Sequence, residues 1–506
     1  MLDANDLTQV FMFGFYGAHM CADLSRWIEL TSPGGVILFS RNSGTPTEVA
    51  SLVRGLQEAA DGAGRPPLLV ACDQEGGEVT RLSKGFSPIG PNMALGAIYR
   101  HNPKRALDLA YMRATLVAAE LGKCGVSMNL APCLDLSCDA ANSVIGTRSY
   151  SDSAEVVAEL GIAHVLGHKC ESVFSTAKHF PGHGATSVDS HFELARTQSA
   201  GVHVEPYARV IGMGVEAVMS AHVVYEQHDR LPATLSEYWL SRWLRQTLGF
   251  GGLVLTDCMN MKSISDTYGI AEACVMALRA GADMVLVSHE PKVQEECVVR
   301  LRTAVETGEL DAAVLRAKVD RILSHKARIP SSVLEPSGEL MPSEQVEAEI
   351  SRECITLLRK QFTPHFGMGQ PLVLLPQEAD EARSALDARG LGAMMYPKEV
   401  PLSLADEAVA HAPWVLFFSR GLHLEPSRAR FAERISKMCD NFALVSMGAP
   451  YDLAYVPEAG YALACYSRKR QYVEAALDVV FGVHEPCGRL PIRVPGIFEP
   501  AAGMEE

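Results

Sequence analysis

The run from Lys178 to His191, Lys-His-Phe-Pro-Gly-His-Gly-Ala-Thr-Ser-Val-Asp-Ser-His, gathers one cation, three imidazoles and a carboxylate around a Pro-Gly turn. That content suits an active-site loop. If its last three residues are extended, Asp189 and His191 project to the same side, because side chains alternate along a strand with period two. A carboxylate beside an imidazole fixes the tautomer, holds the ring and raises its proton affinity, so that His191 can give and take a proton near neutral pH. Taken alone, the pair is equally a turn contact, and histidines flanked by glycine can be satisfied by backbone carbonyls. Lys178 and His179 alongside them favour chemistry.

Other candidates are scattered. Asp257 closes the apolar run Leu253-Val254-Leu255-Thr256 with no cation next to it in sequence. It reads as a carboxylate at a strand end or as the cap of the following helix. Asp73, in Cys72-Asp73-Gln74-Glu75-Gly76-Gly77, carries the same two readings. Arg148 follows a turn-rich segment and suits either a ligand hydroxyl or a surface acid.

Elements that would bring these groups together recur through the first two thirds of the chain. Short β-rich runs lie at Gly35 to Phe39, Leu68 to Cys72, Val126 to Leu130, Ser175 to Ala177, Ala217 to Ser220, Leu253 to Thr256 and Asp283 to Val287, with a further one at Phe11 to Phe15. Helical patterns separate them. This alternation predicts a parallel sheet with crossover helices, and the strand number approaches that of a closed (β/α)8 TIM-type barrel. Asp73, Asn129, Lys178 with His179, His222 and Asp257 each fall at or just past the C-terminal end of a run, the rim where barrel active sites are built. An open doubly wound sheet would also put them at strand ends.

After Ile329 the texture changes. Pro330, Pro336, Gly338 and Pro342 read as a linker, followed by a helix from Ser343 to about Lys360. A second α/β unit follows, with strands at Leu372 to Leu375, Ala393 to Tyr396, Trp414 to Ser419, Phe442 to Ser446 and Tyr461 to Cys465. The expected organisation is a barrel over 1–329, a linker and helix over 330–365, and a smaller α/β sandwich domain over 366–500. No dinucleotide fingerprint or phosphate loop is present.

Of the 506 residues, 48 % are apolar and 21 % charged, and no uninterrupted apolar run is long enough to span a bilayer. The net charge of −15 disfavours nucleic acid and anionic membrane as partners. Thirteen scattered cysteines without a Cys-x-x-Cys pair suit reduced thiols in a cytoplasm. Acids near the start, Asp3 and Asp6, predict no secretion signal.

As an ordered set the motifs resemble glycoside hydrolase family 3. They are Asp73-Gln74-Glu75-Gly76-Gly77, Asn129-Leu130-Ala131-Pro132 with Asp135, Ile145-Gly146-Thr147-Arg148-Ser149, Lys178 through His191, Met219-Ser220-Ala221-His222, Pro232-Ala233-Thr234-Leu235-Ser236 and Thr256-Asp257. The Asp-Ser-His loop narrows the resemblance to the β-N-acetylglucosaminidases of that family. Pro450-Tyr451-Asp452-Leu453 and Gly488-Arg489-Leu490-Pro491 resemble the C-terminal domain of its two-domain members.

The resemblance implies a retaining exo-glycosidase with Asp257 as nucleophile and His191, supported by Asp189, as acid/base. Asp73, Arg148, Lys178, His179 and His222 would hold the terminal sugar, and Gly182 and Gly184 would let the loop close. It implies a small carbohydrate substrate, a cell-wall fragment bearing terminal β-linked N-acetylglucosamine, handled in the cytoplasm by a monomer without cofactor or metal. Two positions depart from the family pattern: Ala185, where an acid is usual, and Glu78, where an arginine is frequent. Competing readings are a phosphorylase releasing sugar 1-phosphate, another family 3 β-glycosidase, and a catalytically silent sugar binder. A metal site built from His179, His183, His191, His222 and Asp257 is disfavoured, because no His-x-His marks an early strand.

Overall fold

Eight apolar runs close into a parallel barrel in the computed structural model, which describes residues 7–184, 186, 194–329 and 342–503, Phe366 by its backbone alone. The strands are β1 (Phe11–Gly14), β2 (Gly35–Leu38), β3 (Leu69–Cys72), β4 (Met128–Asn129), β5 (Phe174–Phe180), β6 (Ala217–Ser220), β7 (Leu253–Cys258) and β8 (Met284–Val287). Their near-continuous Val, Ile, Leu and Met content is what a strand covered on both faces requires. Each strand pairs with the next, and Phe11 to Phe13 of β1 pair with Val285 to Val287 of β8. That last ladder closes the cylinder and excludes the open doubly wound sheet.

Crossover helices cover the strands. The helix Pro46–Gly62 shows how its start is encoded. Thr45 accepts from the Glu48 amide while Glu48 Oε2 accepts from the Thr45 amide at 2.7 Å, with Pro46 in the first turn.

Two strand lengths differ from the sequence reading. β4 has only two residues, since the chain leaves the ladder at Leu130, whereas β5 continues through Lys178 and His179 to Phe180. Against β6 its register shifts between Lys178 and Phe180, a bulge that lets the consecutive Lys178 and His179 both reach the barrel mouth.

The second sheet comprises β9 (Thr356–Lys360), β10 (Leu372–Pro376), β11 (Ala393–Tyr396), β12 (Val415–Ser419), β13 (Phe442–Ser446) and β14 (Tyr461–Ala464), in the order β9-β14-β13-β12-β10-β11. All neighbours are parallel except β9 and β14. The helix expected to reach Lys360 therefore stops at Glu353. The next residues, Thr356-Leu357-Leu358, take an antiparallel edge position whose partner lies about a hundred residues downstream.

The second unit grips the barrel loops. Tyr451 donates its hydroxyl to the Ser137 carbonyl at 3.1 Å, the Arg493 amide donates to Asp152 at 2.8 Å, and Lys469 Nζ donates to the Ile89 carbonyl at 2.6 Å. Arg420 and Arg468 both reach Glu78, at 3.1 and 3.3 Å. The acid at this position, where family members often have an arginine, thus joins barrel to sandwich.

Candidate active site

A cavity of about 610 Å³ opens at the C-terminal ends of the barrel strands. Asp73, Arg148, Lys178, His179 and Asp257 all line it, and so do His183, from the loop read as part of the active site, and Glu75, to which sequence reasoning assigned no role. Asp189, His191 and Ala185 lie outside the described residues.

One wall is an ion network. Lys178 Nζ lies 2.6 Å from Asp73 Oδ1 and 2.7 Å from Glu75 Oε1, and Arg148 clamps Glu75 through Nη2 and Nε at 2.8 and 2.9 Å. Burial alone would raise the Glu75 pKa, but Arg148 and Lys178 hold it down at about 2. Burial likewise works against the Lys178 charge, and Asp73 with Glu75 reverses that, leaving its pKa raised. Charges already paired and fixed in a sheltered wall offer strong, directional hydrogen bonds to neutral hydroxyls.

Gln74–Gly76 and Val79–Thr80 form a short antiparallel hairpin that carries Glu75, and it is held from below. Asn129, at the end of β4, accepts from the Gln74 amide at 3.0 Å and donates to the Gln74 carbonyl at 3.1 Å and to His168 Nε2 at 3.0 Å. His168 Nδ1 in turn donates to the His164 carbonyl, so this ring is neutral, and burial presses its pKa down to about 4.

A second knot centres on Asp135, which is wholly buried. It accepts from His179 Nδ1 at 2.6 Å and from the His183 amide at 2.6 Å. Burial would raise its pKa, but the His179 and His183 interactions hold it below the usual carboxylate range. With Nδ1 donating to Asp135, His179 Nε2 faces Arg148 Nη2 at 3.4 Å. Cys133, Asp135 and His179 bring potential metal-ligand atoms within 4.8 Å of one another. Their chemistry suits hydrogen bonding better than a cation. Burial holds the Cys133 thiol protonated, and it donates to Asp135 Oδ2, the oxygen already bound to His179.

Asp257 stands apart from both knots. Its Oδ1 accepts from the Cys258 amide at 2.7 Å, and among the described residues it forms no ion pair. Burial opposes its charge, yet the neighbouring His179 and His222 rings and the Cys258 amide lower its pKa, so it is ionised at neutral pH. His222, expected to touch the sugar, is instead fully buried behind the strand ends and is not part of the cavity wall. Its Nε2 donates to the Cys258 carbonyl at 3.1 Å and its Nδ1 meets Thr234 Oγ1 at 2.9 Å. The ring therefore steadies the end of β7 beside Asp257.

A (β/α)8 barrel whose mouth joins paired cations and carboxylates to an ionised aspartate with no ion pair among the described residues defines a polar-ligand hydrolase site. The glycosyl hydrolase family 3 N-terminal domain matches residues 3–325, and the chain belongs to that family. A β-hexosaminidase of Thiobacillus denitrificans is 37 % identical over 329 residues, covering 63 % of this chain and 88 % of that one. The solved family 3 β-N-acetylglucosaminidase of Paenibacillus sp. str. FPU-7 superposes with a TM-score of 0.90 at 32 % identity, covering 98 % of this chain and 99 % of that one. NagZ of Neisseria gonorrhoeae, solved in complex with N-trifluoroacetyl-D-glucosamine, matches with a TM-score of 0.52 at 28 % identity, over 63 % of this chain and 98 % of that one.

Proposed function

We propose that the protein is a retaining exo-β-N-acetylglucosaminidase that releases terminal β-linked N-acetylglucosamine from peptidoglycan-derived fragments in the cytoplasm. The observation that carries this reading is the ionised Asp257, without an ion-pair partner among the described residues, facing a cavity in which Asp73, Glu75, Arg148 and Lys178 are already paired with one another. The acetamido preference rests on likeness to the Paenibacillus enzyme and to the Neisseria protein bound to an acylated glucosamine. The thirteen cysteines are all free thiols, which supports a reducing compartment.

In the proposed first step Asp257 attacks the anomeric carbon while the bond to the glycosidic oxygen breaks. His191 delivers its proton to that oxygen, and the aglycone leaves as an alcohol. In the second step His191 takes a proton from water, whose oxygen attacks the same carbon and frees the Asp257 carboxylate. Two inversions give retention. Asp189 orients the His191 ring and stabilises its charged form. Asp73, Arg148, Lys178 and His179 hold the sugar hydroxyls, with Glu75 and Asp135 fixing the cationic and imidazole members in position. His222 supports Asp257 through Cys258.

The test is hydrolysis of 4-nitrophenyl β-N-acetylglucosaminide beside the matching glucoside, with and without phosphate. Wild type should cleave only the acetamido sugar, and Asp257→Asn should abolish turnover. His191→Ala should slow cleavage of an unactivated sugar aglycone about 10²–10⁴-fold, and less with the nitrophenyl leaving group. Folded protein that cleaves neither sugar would overturn the proposal. Phosphate-dependent release of sugar 1-phosphate would replace it with phosphorolysis.

A further inference from the structure

The barrel mouth has two chemically different sides. Asp73, Glu75, Arg148, Lys178 and His179 come from the ends of β3 to β5 and the loops after them. Across the axis, the loops after β8, β1 and β2 present His289, Tyr16, Phe39 and Arg41, and Asp257 lies between the two sides on β7. A terminal sugar whose hydroxyls face the charged wall, with its anomeric carbon toward Asp257, directs its aglycone to this second arc.

The arc is built rather than incidental. The Phe39 and His289 rings both line the cavity, 5.6 Å apart between centroids. The Arg41 guanidinium lies 4.5 Å from the centre of Phe39 and 4.8 Å from that of Tyr16. It is pinned there by donating to the Phe15 carbonyl at 2.8 Å and the Ser288 carbonyl at 2.7 Å. Gly14 makes room for this, since a Cβ there would fall 2.2 Å from the Ser288 carbonyl oxygen and 2.9 Å from Arg41 Nη2. Tyr16 ends the series with 61 % of its surface exposed. Phe39 and His289 belong to the cavity wall, and Arg41 with the water-exposed Tyr16 ring packed on it extends that wall outward from the cavity.

We infer that this ladder of His289, Phe39, Arg41 and Tyr16 is an outer glycan subsite that stacks the pyranose rings on the reducing-end side of the scissile bond. A pyranose has one face rich in C–H groups, which complements the electron-rich face of an aromatic ring, and its equatorial hydroxyls suit a guanidinium. Phe39 and His289 take the sugar next to the bond, and Tyr16 takes the one beyond. The inference rests on the proposed orientation of the terminal sugar, and it makes the protein an enzyme for chains rather than for small glycosides.

The test compares tri-N-acetylchitotriose with methyl β-N-acetylglucosaminide as substrates of wild type, Tyr16→Ala and Arg41→Met. It also compares tri-N-acetylchitotriose with N-acetylglucosamine as calorimetric ligands in an Asp257→Asn background. The ratio of kcat/KM for trisaccharide to that for methyl glycoside should fall about five- to twentyfold in each variant, with a matching shift in the ratio of Kd values. Ratios that stay at the wild-type value in both variants overturn the outer subsite while leaving the proposed function intact. Wild type that neither cleaves nor binds either sugar overturns the reading of the site itself, and the subsite with it.

Discussion

Lys178 and Glu75 meet at 2.7 Å with their side chains 2 % and 1 % exposed, a salt bridge almost wholly removed from water at the base of the cavity. Removing Lys178 takes a cation from both Glu75 and Asp73 at a site with little water to replace it, so part of the desolvation penalty of these acids is left uncompensated. Lys178→Met should therefore cost about 1–3 kcal/mol of stability, since Glu75 keeps Arg148 and Asp73 keeps Arg81. Glu75→Gln, which keeps the shape and removes one charge, should cost less. Urea midpoints of the two variants check the order, and equal stability for wild type and Lys178→Met would contradict it.

Acid should destabilise the protein well before its exposed carboxylates are protonated. Burial presses His168 and His183 from 6.5 down to about 4, so over that window the unfolded chain takes up protons that the folded chain refuses. Stability contributed by these two rings is complete above pH 6.5 and is lost as pH falls toward 4, on the order of 2 kcal/mol for each. Glu75, held at about 2 against an ordinary 4.5, acts in the same direction below pH 4.5. Unfolding free energies measured at pH 7, 5.5 and 4 should decline at every step. A flat profile between pH 7 and 4.5 would exclude the two histidines as its source.

Gly90→Ala should loosen the joint between barrel and sandwich. A Cβ at this position would fall 1.8 Å from the Tyr472 hydroxyl oxygen, on the helix Arg470–Val480. Gly90 also supports the Glu75 hairpin, since a Cβ on Gly76, whose φ is +107°, would meet the Gly90 carbonyl oxygen at 2.3 Å. Overpacking of this kind costs about 1–3 kcal/mol. Because the displaced backbone underlies Glu75, KM for the terminal sugar should rise more than kcat falls. A lowered melting temperature with unchanged kinetics would confine Gly90 to stability.

Strand ends were the legible part of this site. Apolar runs closed by Asp73, Lys178 with His179, and Asp257 locate rim residues directly, because a barrel puts the end of every strand on one face. Glu75 and Asp135 stood in the quoted motifs, but their roles depend on which distant cation or imidazole meets them. Sequence does not encode Glu75 between Lys178 and Arg148, or Asp135 beneath His179. The surroundings of His222 were illegible for a related reason. It lies at a strand end, but only the fold shows that its ring meets Thr234 and the Cys258 carbonyl. Thr356 to Lys360 looked helical because the helix before it is continuous in pattern, and its partner strand, Tyr461–Ala464, is remote in sequence.

Glu78 and its two arginines make the loops around the sugar pocket common property of both halves of the chain. The Neisseria relative aligns over 98 % of its own length to only 63 % of this chain. Transplanting a barrel between such proteins would thus be an exchange of loops tailored to different company. A barrel cut out of this chain would keep every strand-end residue of the site while losing the hands that hold Ile89, Ser137 and Asp152 in place.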